Sequence, residues 1–284
     1  MTATADVEQG DRAHLRDLVD TYLAALAAND PSQLRFATHV RFTENGQQLP
    51  LGKGLWATAT EGFRVVLCVT DPEQHQVGAF AVVREAGRDV LLALRLKELG
   101  GVLEEIETVV SRGNTRMFDA EAVVNRPEHD RVLSPADRRP RAELVQTASR
   151  YFEGILRADG TIIPVSPTCR RVENGIATAN NPAFAERSPY FAMGVAEAIG
   201  TGFYRDAIEA VRDRRCCAVD TERGLAYVFF VFDHPGPVTG RPPGVFREPN
   251  SMMGAEVFAM VDGCITHIEA LIAVNLPYGI RSGW

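Results

Sequence analysis

The chain contains itself twice. Tyr22-Leu-Ala-Ala-Leu-Ala-Ala-Asn-Asp-Pro, running into Val40-Arg-Phe-Thr-Glu-Asn-Gly46, returns as Tyr151-Phe-Glu-Gly-Ile-Leu-Arg-Ala-Asp-Gly, running into Cys169-Arg-Arg-Val-Glu-Asn-Gly175, at a constant offset of 129 residues and without a gap. Leu15, Val19, Tyr22, Leu23 and Leu26 fall on Leu144, Ala148, Tyr151, Phe152 and Ile155. The same apolar stripe therefore opens both copies, and it has helical spacing. Solenoid units repeat every 20 to 50 residues or so, so a repeat of this length means two copies of one domain.

The 284 residues give each copy enough chain to bury a core of its own. A net charge of −7 disfavours polyanionic partners such as nucleic acid or an acidic membrane surface. The N-terminal stretch has no basic region followed by an apolar one, and no segment approaches the roughly 18 uninterrupted apolar residues that span a bilayer. The expectation is a cytoplasmic protein that meets a hydrophobic small molecule, not nucleic acid or membrane, with a homo-oligomer left open. Cys68, Cys169, Cys216, Cys217 and Cys264 form no C-x-x-C pair and read as reduced thiols in apolar runs. Adjacent Cys216 and Cys217 would point to opposite faces of a strand.

In copy one a helix over Asp11 to Asn29, stopped by Asp30-Pro31, precedes Val-, Leu- and Ile-rich runs at 64–70, 76–84, 89–98 and 102–111. Breaks at Asp71-Pro72, Glu85-Ala-Gly87 and Gly100-Gly101 give them the pattern of an antiparallel meander. Copy two repeats the order with a helix over 141–158 and strands at 170–175, 215–220, 224–232, 255–261 and 264–274. The predicted division is domain 1 at 10–113, a charged, proline-interrupted linker at 114–140, domain 2 at 141–276 and a tail at 277–284. Domain 2 has two additions, a helical insert at 190–212 and a Gly/Pro-rich lid loop at 233–244. In the last strand pair, Glu105 and Glu107 correspond to His267 and Glu269.

A helix pair, a short strand and a bent antiparallel sheet resemble the nuclear-transport-factor-2-like superfamily. More closely, Phe42-Thr-Glu-Asn-Gly46, Val172-Glu-Asn-Gly175, Asp213-Arg-Arg-Cys-Cys-Ala-Val-Asp220 and Val231-Phe-Asp-His-Pro-Gly236 are similar to a family of tandem SnoaL-like proteins of unassigned function. The resemblance implies an α+β fold of two cone-shaped SnoaL-like (cystatin-like) domains, N-terminal helices on a bent antiparallel sheet in each, forming an intrachain pseudo-dimer through the outer sheet faces. The superfamily holds isomerases, dehydratases, epoxide hydrolases, polyketide cyclases, formaldehyde lyases and members that only bind or dimerise, so the fold ranks chemistries without choosing one.

Within that frame the candidate catalytic residues are His267, Glu269, Tyr151, Asp233 and His234, and the candidate substrate-binding residues are Arg170, Glu173, Tyr190, Tyr204, Tyr227 and Phe229. Strand alternation puts Ile265, His267, Glu269 and Leu271 on one face. Two readings stand for it: an acid/base pair facing the cone, or an outward rim or sheet-to-sheet interface. Glu44 and Glu173 each precede Asn-Gly and follow an arginine by three residues, which reads as a turn with a shared ion pair, Arg41 to Glu44 and Arg170 to Glu173. Tyr22 and Tyr151 face their sheets from the first helix, where a phenol fills core and, in the superfamily, also donates to a developing oxyanion. Asp233-His234 end an apolar strand where the lid begins. Leu51-Gly-Lys-Gly-Leu-Trp56 lacks the spacing of a nucleotide fingerprint and folds Trp56 over the cone of domain 1. His14, His39, His75 and His129 have no comparable setting. No metal motif is present, so no metal or cofactor is expected, and a metal site would need scattered ligands. The expected function is a cofactor-independent lyase or isomerase (dehydration, double-bond shift or retro-aldol loss of formaldehyde) on a hydrophobic aromatic or polycyclic molecule. The rival is a non-catalytic binding or assembly module with plugged cones.

Overall fold

The computed structural model describes residues 2–113, 117–186, 188–237 and 248–284. Domain 1 opens with helix α1 (Thr2–Ala27), which starts before the expected Asp11. It continues through β1 (Phe36–Glu44), the two-residue β2 (Gln47–Gln48), α2 (Leu55–Thr58), β3 (Ala59–Asp71), β4 (Gln76–Glu85), β5 (Arg88–Leu99) and β6 (Val102–Ser111). A short helix, α3 (Pro127–Asp130), interrupts the connection. Domain 2 comprises α4 (Arg141–Arg157), β7 (Val165–Glu173), β8 (Ile176–Ala177), α5 (Val195–Gly200), α6 (Phe203–Ala207), β9 (Ala210–Asp220), β10 (Leu225–His234), β11 (Asn250–Val261) and β12 (Cys264–Leu276). The sheets have the same order, β2-β1-β6-β5-β4-β3 and β8-β7-β12-β11-β10-β9. In each, the first long strand runs parallel to the last while the other long strands pair antiparallel.

The helical stripes bury where their spacing predicts. Leu15, Val19, Tyr22, Leu23 and Leu26 pack on Ala79, Ala81, Leu92 and Leu94, and Leu144, Ala148, Tyr151, Phe152 and Ile155 pack on Ala226, Val228, Phe230 and Phe258. Asp30 and Asp159 each accept a backbone N–H two residues on, from Ser32 and Thr161, at 2.9 Å, so the turn that follows the helix is duplicated too. Asn45 and Asn174 both adopt left-handed backbone, φ 47° and 48°. Their side chains pair with the main chain of the last strand as an extra rung: Val110 N–H donates to Asn45 Oδ1 and Ile272 N–H to Asn174 Oδ1, both at 2.8 Å. The Asn-Gly signature thus clamps the first strand to the last.

The arginines before these turns do not pair with the glutamates, because residues three apart on a strand point to opposite faces. Glu44 accepts from Leu55 N–H at 2.7 Å and Arg112 at 2.9 Å, whereas Arg41 turns to the C-terminal tail. Glu173 meets Arg171, at 3.1 Å, not the exposed Arg170.

The outer faces of the two sheets join in one apolar layer containing Val66, Val69, Phe80, Leu91 and Val109 of domain 1 and Ala218, Tyr227, Phe229, Val257 and Leu271 of domain 2. This intrachain contact is isologous. Arg12 reaches Asp220 at 3.0 Å and the equivalent Arg141 reaches the equivalent Asp71 at 2.6 Å. The segment after each last strand also crosses to the other domain: Asp119 N–H donates to Asn174 O at 2.8 Å, while Trp284 Nε1–H donates to Thr43 Oγ1 at 2.8 Å. Hence the stretch expected as a linker carries buried Ala120, Val123 and Leu133 along domain 2. Residues 238–244 of the expected lid lie outside the described residues, as do linker residues 114–116; the insert supplies α5 and α6 before β9 begins at Ala210.

Candidate functional site

Two buried polar clusters stand out, each containing some of the candidate residues. The first lies on the helix-covered face of the domain 2 sheet. Arg171, on β7, is fully buried and distributes its donors among Tyr151 Oη (3.3 Å), Thr178 Oγ1 (2.9 Å), Thr178 O (3.1 Å), Glu173 Oε1 (3.1 Å) and Tyr204 Oη. Tyr151 comes from α4, Tyr204 from α6 of the insert. Glu256, on β11, is 1% exposed; it pairs with the Tyr151 hydroxyl, and its Oε2 has no hydrogen-bond partner among the described residues. Burial, with the neighbouring Glu173 charge, pushes the Glu256 carboxyl up to about 8, only partly offset by Arg171. Burial likewise raises the phenols of Tyr151 and Tyr204 above their ordinary value. Around the fixed guanidinium, Glu256 is thus held toward its protonated form and the two phenols stay neutral, with Glu173 paired to Arg171. Phe152, Phe230 and Phe258 wall it, Phe258 lying 5.2 Å from the Tyr151 ring.

Domain 1 has none of this. Strand registers make Leu94 the counterpart of Glu256 and Phe42 the counterpart of Arg171. Tyr22, the counterpart of Tyr151, accepts a hydrogen bond from Trp56 Nε1–H at 3.0 Å, with the rings edge-on at 5.3 Å. Trp56 thus closes over the domain 1 core.

The second cluster contains His267 and Glu269. These two do not face the cone; they lie on the outer face of β12, in the domain interface, 1% and 0% exposed. The expected grouping with Ile265 fails because β12 slips register between Ile265 and His267, opposite Ala259/Met260, so Ile265 points into the cone while His267 points out. His267 Nε2 and Glu269 Oε2 are 3.0 Å apart, and Arg126 Nε donates to the same oxygen at 2.8 Å. His129 of α3 packs edge-on against His267, ring centroids 5.2 Å apart. Burial and the neighbouring imidazole push His129 down to about 4.

The remaining candidates are dispersed. Tyr227 and Phe229 lie in the sheet-to-sheet layer, on the face opposite Val228 and Phe230. Asp233 is bonded by Arg212 and by Ser251 Oγ–H at 2.6 Å, close to where the C-terminal tail docks on Ser251 and Arg212; these donors overcome its burial and hold its carboxyl below the usual range. His234 Nδ1 meets Ala207 O at 2.6 Å, and burial lowers its pKa. Tyr190 stacks on Phe203 at 4.0 Å in the insert, and Arg170 is exposed. The structure therefore brings Tyr151, Glu173 and Tyr204 together, and adds Arg171 and Glu256. The missed Glu256 had one visible signal, a lone carboxylate in the apolar run Ala255-Glu-Val-Phe-Ala-Met260.

Residues 137–272 match the model of a family described as a domain of unknown function (DUF8021). No curated protein matches the chain. Among solved structures, a candidate SnoaL-like polyketide cyclase from Jannaschia sp. CCS1 is 15% identical, covering 50% of this chain and 90% of that one at a TM-score of 0.31. A protein of unknown function with cystatin-like fold from Methylobium petroleophilum PM1 is 17% identical, covering 48% and 79% at 0.31. The candidate hydroxylase AclR from Streptomyces galilaeus is 15% identical, covering 47% and 81% at 0.32. The architecture itself, two α+β units of six strands each in one chain, stands on the sheets described above. Among the described residues no helix is long and apolar enough to cross a membrane.

Proposed function

We propose that domain 2 is a cofactor-independent acid/base lyase or isomerase for a hydrophobic, oxygen-bearing small molecule, and that domain 1 is its scaffold. The observation that carries this reading is Glu256: a buried carboxylic acid with an unpartnered oxygen, between a phenol and a guanidinium, at a position where domain 1 has leucine. A structural duplicate has no use for such a group, and burying it without full pairing is costly.

The roles follow from the chemistry. In a dehydration the protonated Glu256 donates to the departing hydroxyl and its conjugate base removes the proton from the adjacent carbon; in a double-bond shift the ionised form removes the proton first, and the acid so formed returns it to the far carbon of the enolate. Tyr151 O–H and the Arg171 guanidinium stabilise the oxygen on which negative charge develops. Glu173, Thr178 and Tyr204 fix the guanidinium, and Phe152, Phe230 and Phe258 make the surroundings apolar, as a hydrophobic substrate requires. Dehydration, double-bond migration and retro-aldol loss of formaldehyde all use this set.

The test is a screen of aromatic alcohols and ketones for absorbance change, followed by Glu256→Gln and Tyr151→Phe on any substrate found. Losing a positioned acid/base group lowers rate by about 10²- to 10⁴-fold. Full turnover in folded Glu256→Gln would sink the assignment.

A further inference from the structure

We propose that His129, His267 and Glu269 form a binding site for one divalent first-row transition-metal ion, zinc by donor set, which staples the interdomain connection to domain 2. The side-chain ligand atoms of the three residues all lie within 4.8 Å of one another. All three side chains are buried, and they come from two elements distant in sequence, α3 and β12. Among the described residues neither ring nitrogen of His129 has a hydrogen-bond partner, nor has Glu269 Oε1. Two imidazoles and a carboxylate are a nitrogen-and-oxygen donor set that suits Zn(II) and its first-row neighbours, leaving one tetrahedral position for a solvent oxygen.

The duplicated domain supplies an internal comparison. Glu107, the counterpart of Glu269, is buried at the same place in the interface and meets two guanidinium groups, Arg95 at 3.0 Å and Arg215 at 3.0 Å through its Nη1. Glu269 meets one, Arg126, and Val257 stands where domain 1 has Arg95. The second cationic partner of Glu107 is thus replaced at Glu269 by imidazoles. A bound dication supplies the missing positive charge and gives the orphaned nitrogens an electron-pair acceptor. Arg126, bonded to the other carboxylate oxygen, then orients the ligand in the manner of an outer-sphere partner. The near-complete burial of the cluster makes the role structural, and it is independent of the acid/base reading of domain 2.

The experiment uses the full chain freed of metal by chelation and then titrated with Co(II), followed by visible d–d absorption and calorimetry. One equivalent is expected to bind, and Zn(II) to displace it. His129→Ala and Glu269→Gln should abolish the spectrum, while His14→Ala, at an exposed histidine in domain 1, should leave it intact. Trypsin provides a second readout, since the Arg131-Val132 and Arg138-Arg139 bonds lie in the stapled segment. At free Zn(II) one hundred times its Kd, cleavage there through local opening should slow about 100-fold. Absence of a Co(II) spectrum in the wild-type chain, or a spectrum unchanged in His129→Ala, overturns the proposal. Because the wild-type titration needs no variant, loss of folding in Glu269→Gln cannot rescue it.

Discussion

The ring of Tyr227 lies against Gly78, and the two residues occupy the same position of the same strand in the two domains. A Cβ at residue 78 would sit 2.5 Å from the ring, so two tyrosines cannot meet there. The pseudo-two-fold axis passes through this contact, and the copies had to become different along it.

Gly78→Ala is therefore expected to destabilise the protein by about 1–3 kcal/mol, the usual cost of overpacking. Tyr227→Ala in the same chain should recover part of that loss, a coupling read from urea melts of the four-member cycle. Additive effects would mean that the contact does not set the spacing of the sheets.

Glu256 makes stability depend on pH in a direction opposite to that of most carboxylates. Its folded pKa, about 8, lies above its ordinary 4.5, so the native state holds the proton more tightly than the unfolded one. The group favours folding fully below pH 4.5, and that contribution is lost as pH rises through 8. Glu256→Gln should thus gain stability relative to wild type between pH 5 and pH 9, by a few kcal/mol. Parallel melting curves at both pH values would contradict the buried acid.

Tyr22→Phe and Tyr151→Phe should separate the domains. The first strands Trp56 Nε1–H, a buried donor, and should cost about 1–3 kcal/mol in a thermal melt without touching turnover. The second should reduce turnover on a substrate found by screening. A rate loss in Tyr22→Phe equal to that in Tyr151→Phe would place chemistry in both cones.

Trp284 lies over Arg41 at 4.2 Å and Arg95 at 4.4 Å. Trp284→Ala should cost about 0.5–2 kcal/mol from these cation–π contacts. Trp284→Phe, which keeps a weaker ring but loses the bond to Thr43, should fall between. Equal melts for all three chains would show the tail to be a passive covering.

The duplication, the helical stripes and the Asn-Gly turns were legible because each is a local pattern with a local cause. Tyr151 was legible as a phenol facing its sheet, from its place in the helical stripe. The facing of β12 was not, since a single irregularity between Ile265 and His267 reverses the parity on which alternation depends, and both faces of the strand are buried. Arg171 was passed over for its neighbour Arg170 for the same reason: one residue of parity decides between core and solvent. His129 carried no signal at all, because only tertiary docking of the connecting segment brings it to His267.

The crossing of the two terminal extensions has a consequence for biosynthesis. Gly46, in the first turn of domain 1, is packed against the carbonyl of Arg281, as Gly175 is against that of Asp119. Domain 2 finds its covering segment already made when it leaves the ribosome. Domain 1 must wait, its outer sheet bare until the domain 2 sheet folds against it and its first turn uncovered until residues 281–284 are synthesised. The first copy to emerge is then the last to be completed, and the nascent chain passes through a long interval in which a foreign sheet could dock in place of its own second half.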